Sequence, residues 1–344
     1  MRARVPRSNP VHLLTLGGDR PKPEFFSMLR RLWQSAMIGL ARSASLKGLM
    51  QNNRTAAAMM QRYVAGGTAG EAVATARDLA AKGISVSLFY LGEYVETREG
   101  IDEAVREKLA AIKALSDAGL DIHVSVDPTQ IGLGVSSDLM AENARTIGHA
   151  LADAARGPGR HCLMLDMEDH TTIDATLALH DDLAAGGIPV AVTLQAYLKR
   201  TEADLQARIQ PGGMVRLVKG AFVAGPEIAH VGNAAIKENS RKLIDLMLSQ
   251  KARDCGFYPV IATHDDRLQD YAIERAKAIG WAPDAYEFEM LFGVRTKLAE
   301  TLAASGHRIR LYTPFGRDWW PYGIRRIGEN PASLPLLVRS LVSR

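Results

Sequence analysis

Cysteine is nearly missing from this 344-residue chain. The two present, Cys162 and Cys255, are too few for a disulfide framework, which excludes a stapled extracellular scaffold and suits a reducing cytoplasm. Long apolar runs are also absent, and none approaches the ~18 residues that a membrane-spanning helix needs. The opening lacks a charged-then-apolar leader with a small-residue cleavage site, so a cytoplasmic protein is expected. Arg2, Arg4 and Arg7 lie in an acid-poor start, but the Ser-rich amphipathic pattern of a transit signal is not there. Neither GxGxxG nor GxxxxGK[ST] occurs, which argues against a doubly wound nucleotide-binding sheet. No HxH or HExxH offers a ready metal site, and none is expected.

What is present is enough for a substantial core: 47% hydrophobic and 23% charged side chains describe one enzyme-sized globular domain. The formal charge of +4 is uneven, because residues 1–60 hold ten Lys or Arg against Asp19 and Glu24, making that segment +8 and the remainder −4. Such an end is most simply a solvated arm, with peripheral contact at the inner face of a membrane as a second expectation. It carries no helix-turn-helix spacing or stacking aromatics, so no nucleic-acid partner is expected.

From residue 84 onward, short runs rich in Val, Ile and Leu alternate with stretches of helical period, the signature of repeated βα units. The predicted strands cover 84–91, 122–126, 161–166, 189–195, 214–220, 258–264, 286–291 and 308–313. Helices such as IDEAVREKLAAIKALSDAG and NAAIKENSRKLIDLMLSQ fall between them. A glycine precedes every strand, at Gly83, Gly119, Gly159, Gly187, Gly213, Gly256, Gly280 and Gly306, as αβ turns require. Eight βα units in ~250 residues predict an α/β fold, a (β/α)8 TIM-like barrel over 83–344, with a helical N-terminal arm over 1–82.

Reactive groups of such barrels sit at the carboxyl ends of strands. There the chain offers Asp166, Glu168, Asp169 and His170 after strand 3, Gln195 and Tyr197 after strand 4, and Thr263, His264 and Asp265 after strand 6. Glu289 lies in strand 7 and Tyr312 in strand 8. Any one of these is equally a helix cap or a surface residue. Arg216 and Lys219 differ, since two cations in one Val-rich strand call for a bound anion or an internal ion-pair network. In the last helix Tyr322, Arg325, Arg326 and Glu329 share a face, and paired guanidiniums suit bidentate capture of a carboxylate or phosphate. Trp319 and Trp320 beside them read as packing anchors.

The stretches LGEYV, LDMED, LQAYLKRTEADL, VRLVKGAF, ATHD and YGIRRIGEN, in this order over residues 60–335, resemble the monofunctional proline dehydrogenase family. The resemblance implies a barrel that holds FAD non-covalently, oxidises L-proline to 1-pyrroline-5-carboxylate by hydride transfer, and passes electrons to a quinone. It implies that Arg325 and Arg326 bind the substrate carboxylate, braced by Glu329, while Tyr312 and Tyr322 shape the pocket. Asp166 is the implied site acid and Arg216 lies beside the flavin's reactive nitrogen. Met167, Gln195, Lys219, Gly220, Ala221, Thr263 and His264 line the cofactor, and Glu289 reaches its outer parts. Three positions depart from the family: Asp127 stands where a carboxylate-binding lysine is usual, Phe89 replaces an acid and Phe222 a tyrosine. Asp127 beside a bound carboxylate is repulsive, so a related cyclic secondary amino acid with an added cation or donor is the alternative substrate. Further alternatives are a metal-dependent barrel hydrolase or aldolase using the Asp166, Glu168, Asp169, His170, His264 and Asp265 group, or a Schiff-base aldolase using Lys219.

Overall fold

The eight runs of branched residues form eight strands: β1 (Ile84–Tyr90), β2 (His123–Val126), β3 (Cys162–Leu165), β4 (Val190–Gln195), β5 (Met214–Val218), β6 (Tyr258–Ala262), β7 (Glu287–Leu291) and β8 (Arg308–Phe315). They pair in sequence order, all parallel, and β8 returns to β1 to close a barrel. This computed structural model describes residues 62–329 except 93, 94, 96, 158 and 223, and in the last helix it omits the side chains of 324, 325 and 327–329. The (β/α)8 expectation holds.

Helices connect the strands: α1 (Ala69–Ala80), α2 (Arg98–Asp117), α3 (Ser137–Ala154), α4 (Ile173–Ala185), α5 (Thr201–Gln206), α6 (Asn233–Met247), α7 (Gln250–Asp254), α8 (Asp266–Ile279), α9 (Thr296–Ala304) and α10 (Trp320–Glu329). Side-chain oxygens of Thr68, Thr97, Ser136 and Asp265 cap α1, α2, α3 and α8, satisfying amides that a helix start leaves open. Of the expected N-terminal arm, α1 packs on β1 and α2, and the Ala65 amide donates to the Pro314 carbonyl at 2.8 Å. Residues 1–61, including the basic excess, lie outside the described residues. Among the described residues no helix is long and apolar enough to cross a membrane.

Boundaries differ from expectation for local reasons. Strand β8 runs past Thr313 through Pro314, because proline loses a donor but keeps the carbonyl that Ala65 uses. The helix expected over 233–250 stops at Met247, and Ser249 caps the separate α7 by accepting from the Ala252 amide at 3.2 Å. Gly280 ends α8 in the left-handed conformation, φ 83°. Before β3 and β5 the positive φ belongs to Gly157 and Gly212 instead of Gly159 and Gly213. At Gly213 the need is space: a Cβ would run into the Arg208 carbonyl.

Alternation along the strands sorts two interiors. Outward residues such as Val86, Leu88, Val124, Leu163, Leu165, Val192, Val215, Ile261, Phe288 and Ile309 join the helices in one apolar layer. Inward residues are mixed: Cys162, Met164, Ala191, Met214, Tyr258 and Val260 form a small apolar cluster, while Ser87, His123, Ser125, Thr193, Arg216, Glu287, Glu289 and Arg310 are buried and polar. Charges in such a core require partners. At the amino end of the barrel Arg310 donates from Nε to Glu287 Oε1 at 2.7 Å and from Nη2 to Glu287 Oε2 at 3.2 Å and Asp121 Oδ2 at 3.0 Å. Its Nη1 donates to the Val86 carbonyl at 2.8 Å.

Removing one partner of such a pair strands the other charge. Glu287→Ala is expected to lower unfolding free energy by about 3–5 kcal/mol in a urea titration, whereas Lys113→Ala, which breaks the exposed Lys113–Asp117 pair, should cost below ~0.5 kcal/mol. Equal effects of the two substitutions would contradict the pairing.

Candidate active site

Arg216 stands in mid-β5 with its side chain inside the barrel, 3% exposed. The guanidinium meets Asp166 through Nη2, donates from Nη1 to Glu289 Oε1 at 2.7 Å and to Ser125 Oγ at 3.3 Å, and from Nε to Thr193 Oγ1 at 3.0 Å. Partners from β2, the β3 end, β4 and, across the barrel, β7 thus converge on one cation. Glu289, fully buried, is pushed up from the usual carboxylate range by burial, which Arg216 opposes.

Asp166 follows the last residue of β3 and links this cluster to the barrel mouth, where Tyr312 OH donates to its Oδ2 at 3.0 Å. The Tyr312 ring lies 5.3 Å from the Arg216 guanidinium and stacks on Phe89 at 5.3 Å and 28°. Phe89, Leu91, Val64 and Tyr322 form an apolar wall with Tyr312 and Trp319 packed against it. Burial, with Asp127 second, holds the Tyr312 phenol well above its ordinary value.

Further anions of the mouth are Asp127 from the β2 end and Glu168 from the β3 end. Asp127 follows Val126 and is half-buried. Glu168 accepts from the Thr129 amide at 2.9 Å and from its hydroxyl at 2.5 Å. Burial pushes the Glu168 carboxyl up to about 7, with Asp127 adding to the rise and Thr129 opposing it. Behind Phe89, α2 delivers Lys108, fully buried, to Gln130.

Residues expected at the cofactor occupy the β3–β6 side. Gln195 is buried and donates to the Met167 and Glu168 carbonyls at 3.3 and 3.2 Å, leaving its Oε1 as a buried acceptor with no hydrogen-bond partner. His264 Nε2 accepts from the Leu291 amide at 3.1 Å. Burial first, then Arg326 and Arg295, hold His264 down to about 4, so it is neutral with its proton on Nδ1, a buried atom without a hydrogen-bond partner. Gly220, at φ +91°, lets backbone pass the Tyr197 ring where a Cβ would collide. Ala221 is exposed beside it. An orphaned acceptor, an orphaned donor and a glycine cradle fit a large heteroaromatic ligand.

Two expectations change. Lys219 is not part of a buried strand, since β5 ends at Val218; its exposed ammonium donates to Asn233 Oδ1 at 3.0 Å. Arg216 is the β5 cation held inside the barrel by ion pairs. Glu289, expected to reach the cofactor's outer parts, lies inside the barrel at 2% exposure, with Arg216 as its partner. Thr263 Oγ1 accepts from the Asp265 amide at 3.1 Å, a turn role. Phe222 is 40% exposed. In α10, Tyr322 is buried and the Arg326 guanidinium lies 5.2 Å over its ring; the side chains of Arg325 and Glu329 lie outside the described residues. Trp320 is buried, in keeping with a packing anchor.

The residues of the metal reading separate: Asp169 and Asp265 cap helices, His170 is exposed, and Asp166 belongs to Arg216. Among the described residues no three His, Cys, Asp or Glu side chains form a metal-ligand group.

A family model described as proline dehydrogenase matches residues 72–337. The chain belongs to the proline dehydrogenase family. Proline dehydrogenase 2 of Bacillus subtilis (strain 168) is 32% identical over 309 residues, which cover 89% of this chain and 97% of that protein. Proline dehydrogenase of Deinococcus radiodurans is 33% identical over 320 residues, 92% and 99% of the two chains. Among solved structures, proline utilization A (PutA) from Bdellovibrio bacteriovorus, inactivated by N-propargylglycine, superposes with a TM-score of 0.72 at 18% identity over 80% of this chain. PutA from Corynebacterium freiburgense gives 0.67 at 20% identity over 93%. Both share the fold, and this chain spans about a third of their length, 33% and 35%.

Inspection of the strand ends overlooks two features. Lys108 sits in the buried stripe Ile101, Ala104, Val105, Lys108, Ala111, Ile112, Leu115 of α2; a lysine at an apolar register position is the signal that would find it. Glu287 and Arg310 lie two residues before Glu289 and Tyr312, so strand parity places them on the same inward face.

The Glu168 shift carries a stability signature. Between about 4.5 and about 7 the folded protein keeps a proton that the unfolded chain has lost, so this group's contribution to stability falls as pH rises through that window. Glu168→Gln cannot titrate. Its melting temperature relative to the parent is expected to climb by about 2–4 °C from pH 5 to pH 8, and a difference that stays flat or declines would contradict the shift.

Proposed function

We propose that this chain oxidises L-proline to 1-pyrroline-5-carboxylate with non-covalently bound FAD and passes the electrons to a quinone met at the inner face of a membrane. Residues 83–344 are the flavin-binding catalytic barrel and residues 1–82 its N-terminal arm. The observation that most supports this reading is the Arg216 cluster at the barrel mouth, where a buried guanidinium is held by Asp166 and Glu289 beneath the Tyr312 ring, in a chain of this family.

When bound, FAD would accept the hydride from the ring carbon beside the substrate nitrogen, whose lone pair would form the C=N bond while its N–H proton would pass to solvent. The protein's part is placement and charge. Arg325 and Arg326 hold the substrate carboxylate as a bidentate pair. Phe89, Tyr312 and Tyr322 enclose the apolar ring and exclude water from it. Asp166 fixes the Tyr312 hydroxyl and the Arg216 guanidinium together, so the pocket wall and the cation keep one geometry. Arg216 would be the nearest cation to the negative charge that gathers on reduction, in a dry barrel where Asp166 and Glu289 offset part of its field. Gln195 Oε1 and His264 Nδ1–H are an acceptor and a donor for the cofactor's polar edge, with Met167, Thr263, Gly220, Ala221 and Lys219 along the same rim.

Asp127 favours a second reading, in which the substrate is a related cyclic secondary amino acid whose added cation or donor faces this carboxylate. An absorption spectrum of the purified protein, followed by anaerobic L-proline, separates the two. The expected result is a yellow protein whose oxidised flavin bands bleach at millimolar proline or below. Yellow protein that proline leaves unbleached supports the second reading, and colourless protein that takes up no added FAD overturns both.

A further inference from the structure

Lys108 is out of place by every rule of helix patterning. It occupies the buried stripe of α2 and is 0% exposed, although a desolvated ammonium is costly unless neighbours offset the loss of water. Its Nζ donates to Gln130 Oε1 and lies 5.7 and 5.8 Å from the ring centroids of Phe89 and Tyr90, faces that attract a cation. Gln130 cannot swing away: its Nε2 donates to the Tyr90 and Gly92 carbonyls at 2.9 Å each. Its backbone amide donates to the Asp127 carbonyl at 3.0 Å. The lysine's acceptor and Asp127 therefore belong to one tight turn at the end of β2. Burial pulls the ammonium down to about 7, and Asp127 is the charge that opposes that pull.

Asp127 stands at the pocket rim as well: it is half-buried and follows β2 in the turn whose Thr129 amide and hydroxyl hold Glu168. A carboxylate there with no counter-charge would repel a substrate carboxylate, whereas one matched by a nearby ammonium presents little net field. The ammonium arrives from behind Phe89, which stacks on the Tyr312 ring.

We infer that Lys108 and Asp127 form a matched charge pair across the α2–β2 wall, and that Lys108 is a positioning residue that lets this pocket accept an amino-acid carboxylate despite Asp127. The inference rests on the reading of the site as one for a cyclic amino acid. It makes Asp127 a neutralised wall charge, not a contact for a substrate cation.

The test uses the flavin-loaded parent, Lys108→Met, Asp127→Asn and the double variant, with flavin content and melting temperature confirming folding. Steady-state oxidation of L-proline and calorimetric binding of a five-membered-ring carboxylate that lacks the amine nitrogen are measured on each. Lys108→Met should raise KM and the carboxylate Kd at least tenfold, with KM rising more than kcat falls. Asp127→Asn, which leaves an unmatched cation, should tighten carboxylate binding threefold or more. The double variant should return to within threefold of the parent, a rescue that a purely structural role for Lys108 does not predict. Weaker binding by Asp127→Asn, or a double variant as weak as Lys108→Met alone, overturns the inference. If Lys108→Met does not fold, the direction of the Asp127→Asn change decides by itself. A parent that proline does not bleach overturns the underlying reading and this inference with it; a parent that is bleached, with variants that behave otherwise, overturns the inference alone.

Discussion

A guanidinium inside a closed barrel is tolerable only if the strands around it contribute partners, and Arg216 sets that condition for the structure. Asp166 from the β3 end, Thr193 from β4, Ser125 from β2 and Glu289 from β7 each point inward to meet it. Parity then dictates the rest of those strands, because the alternate residues Leu165, Val192, Val124 and Phe288 must face the helices. Removing the cation would leave two carboxylates in a dry interior, so the fold and the site share one electrostatic requirement. The Arg310, Glu287 and Asp121 group repeats the solution at the opposite end, with no ligand role required of it.

Above this base the mouth divides by chemistry. The β1 and β8 side is aromatic, with Phe89, Tyr312 and Tyr322 forming a wall for an apolar ring. The β4 and β6 side offers polar atoms at a glycine cradle, with Gln195 and His264 held by their own second contacts. Tyr312 joins the halves, since it stacks on Phe89 and donates to Asp166. In the proposed reading a ring substrate and a planar cofactor would meet beside the same cation.

Most of this was legible before any coordinates. Eight branched runs with glycine punctuation yield the barrel; polar residues at the ends of strands point to Asp166, Gln195, His264 and Tyr312 as candidates, and a cation within a Val-rich strand points to Arg216. Lys219 reads as part of the strand in the sequence, but β5 ends at Val218, two residues past Arg216, and the lysine stands just outside the sheet. Lys108 escaped because attention to strand ends ignores helices, yet its place in an apolar stripe is visible in the heptad-like spacing alone. The short-range partnerships, such as Gln130 joining Lys108 to the Asp127 turn, depend on loop geometry that periodicity does not encode.

The most direct test of Arg216 as the electrostatic centre of the site is the two-electron midpoint potential of the bound flavin. It would be compared between the parent and an Arg216→Gln, Glu289→Gln double variant, which removes the guanidinium together with one of its two carboxylate partners and so leaves Asp166, which also accepts from Tyr312, as the single carboxylate of the cluster. Loss of the guanidinium should shift the potential negative by on the order of 30 mV or more, about a tenfold change in the reduction equilibrium. A potential that does not move, in a variant that keeps its flavin and its fold, would contradict the central role given to Arg216.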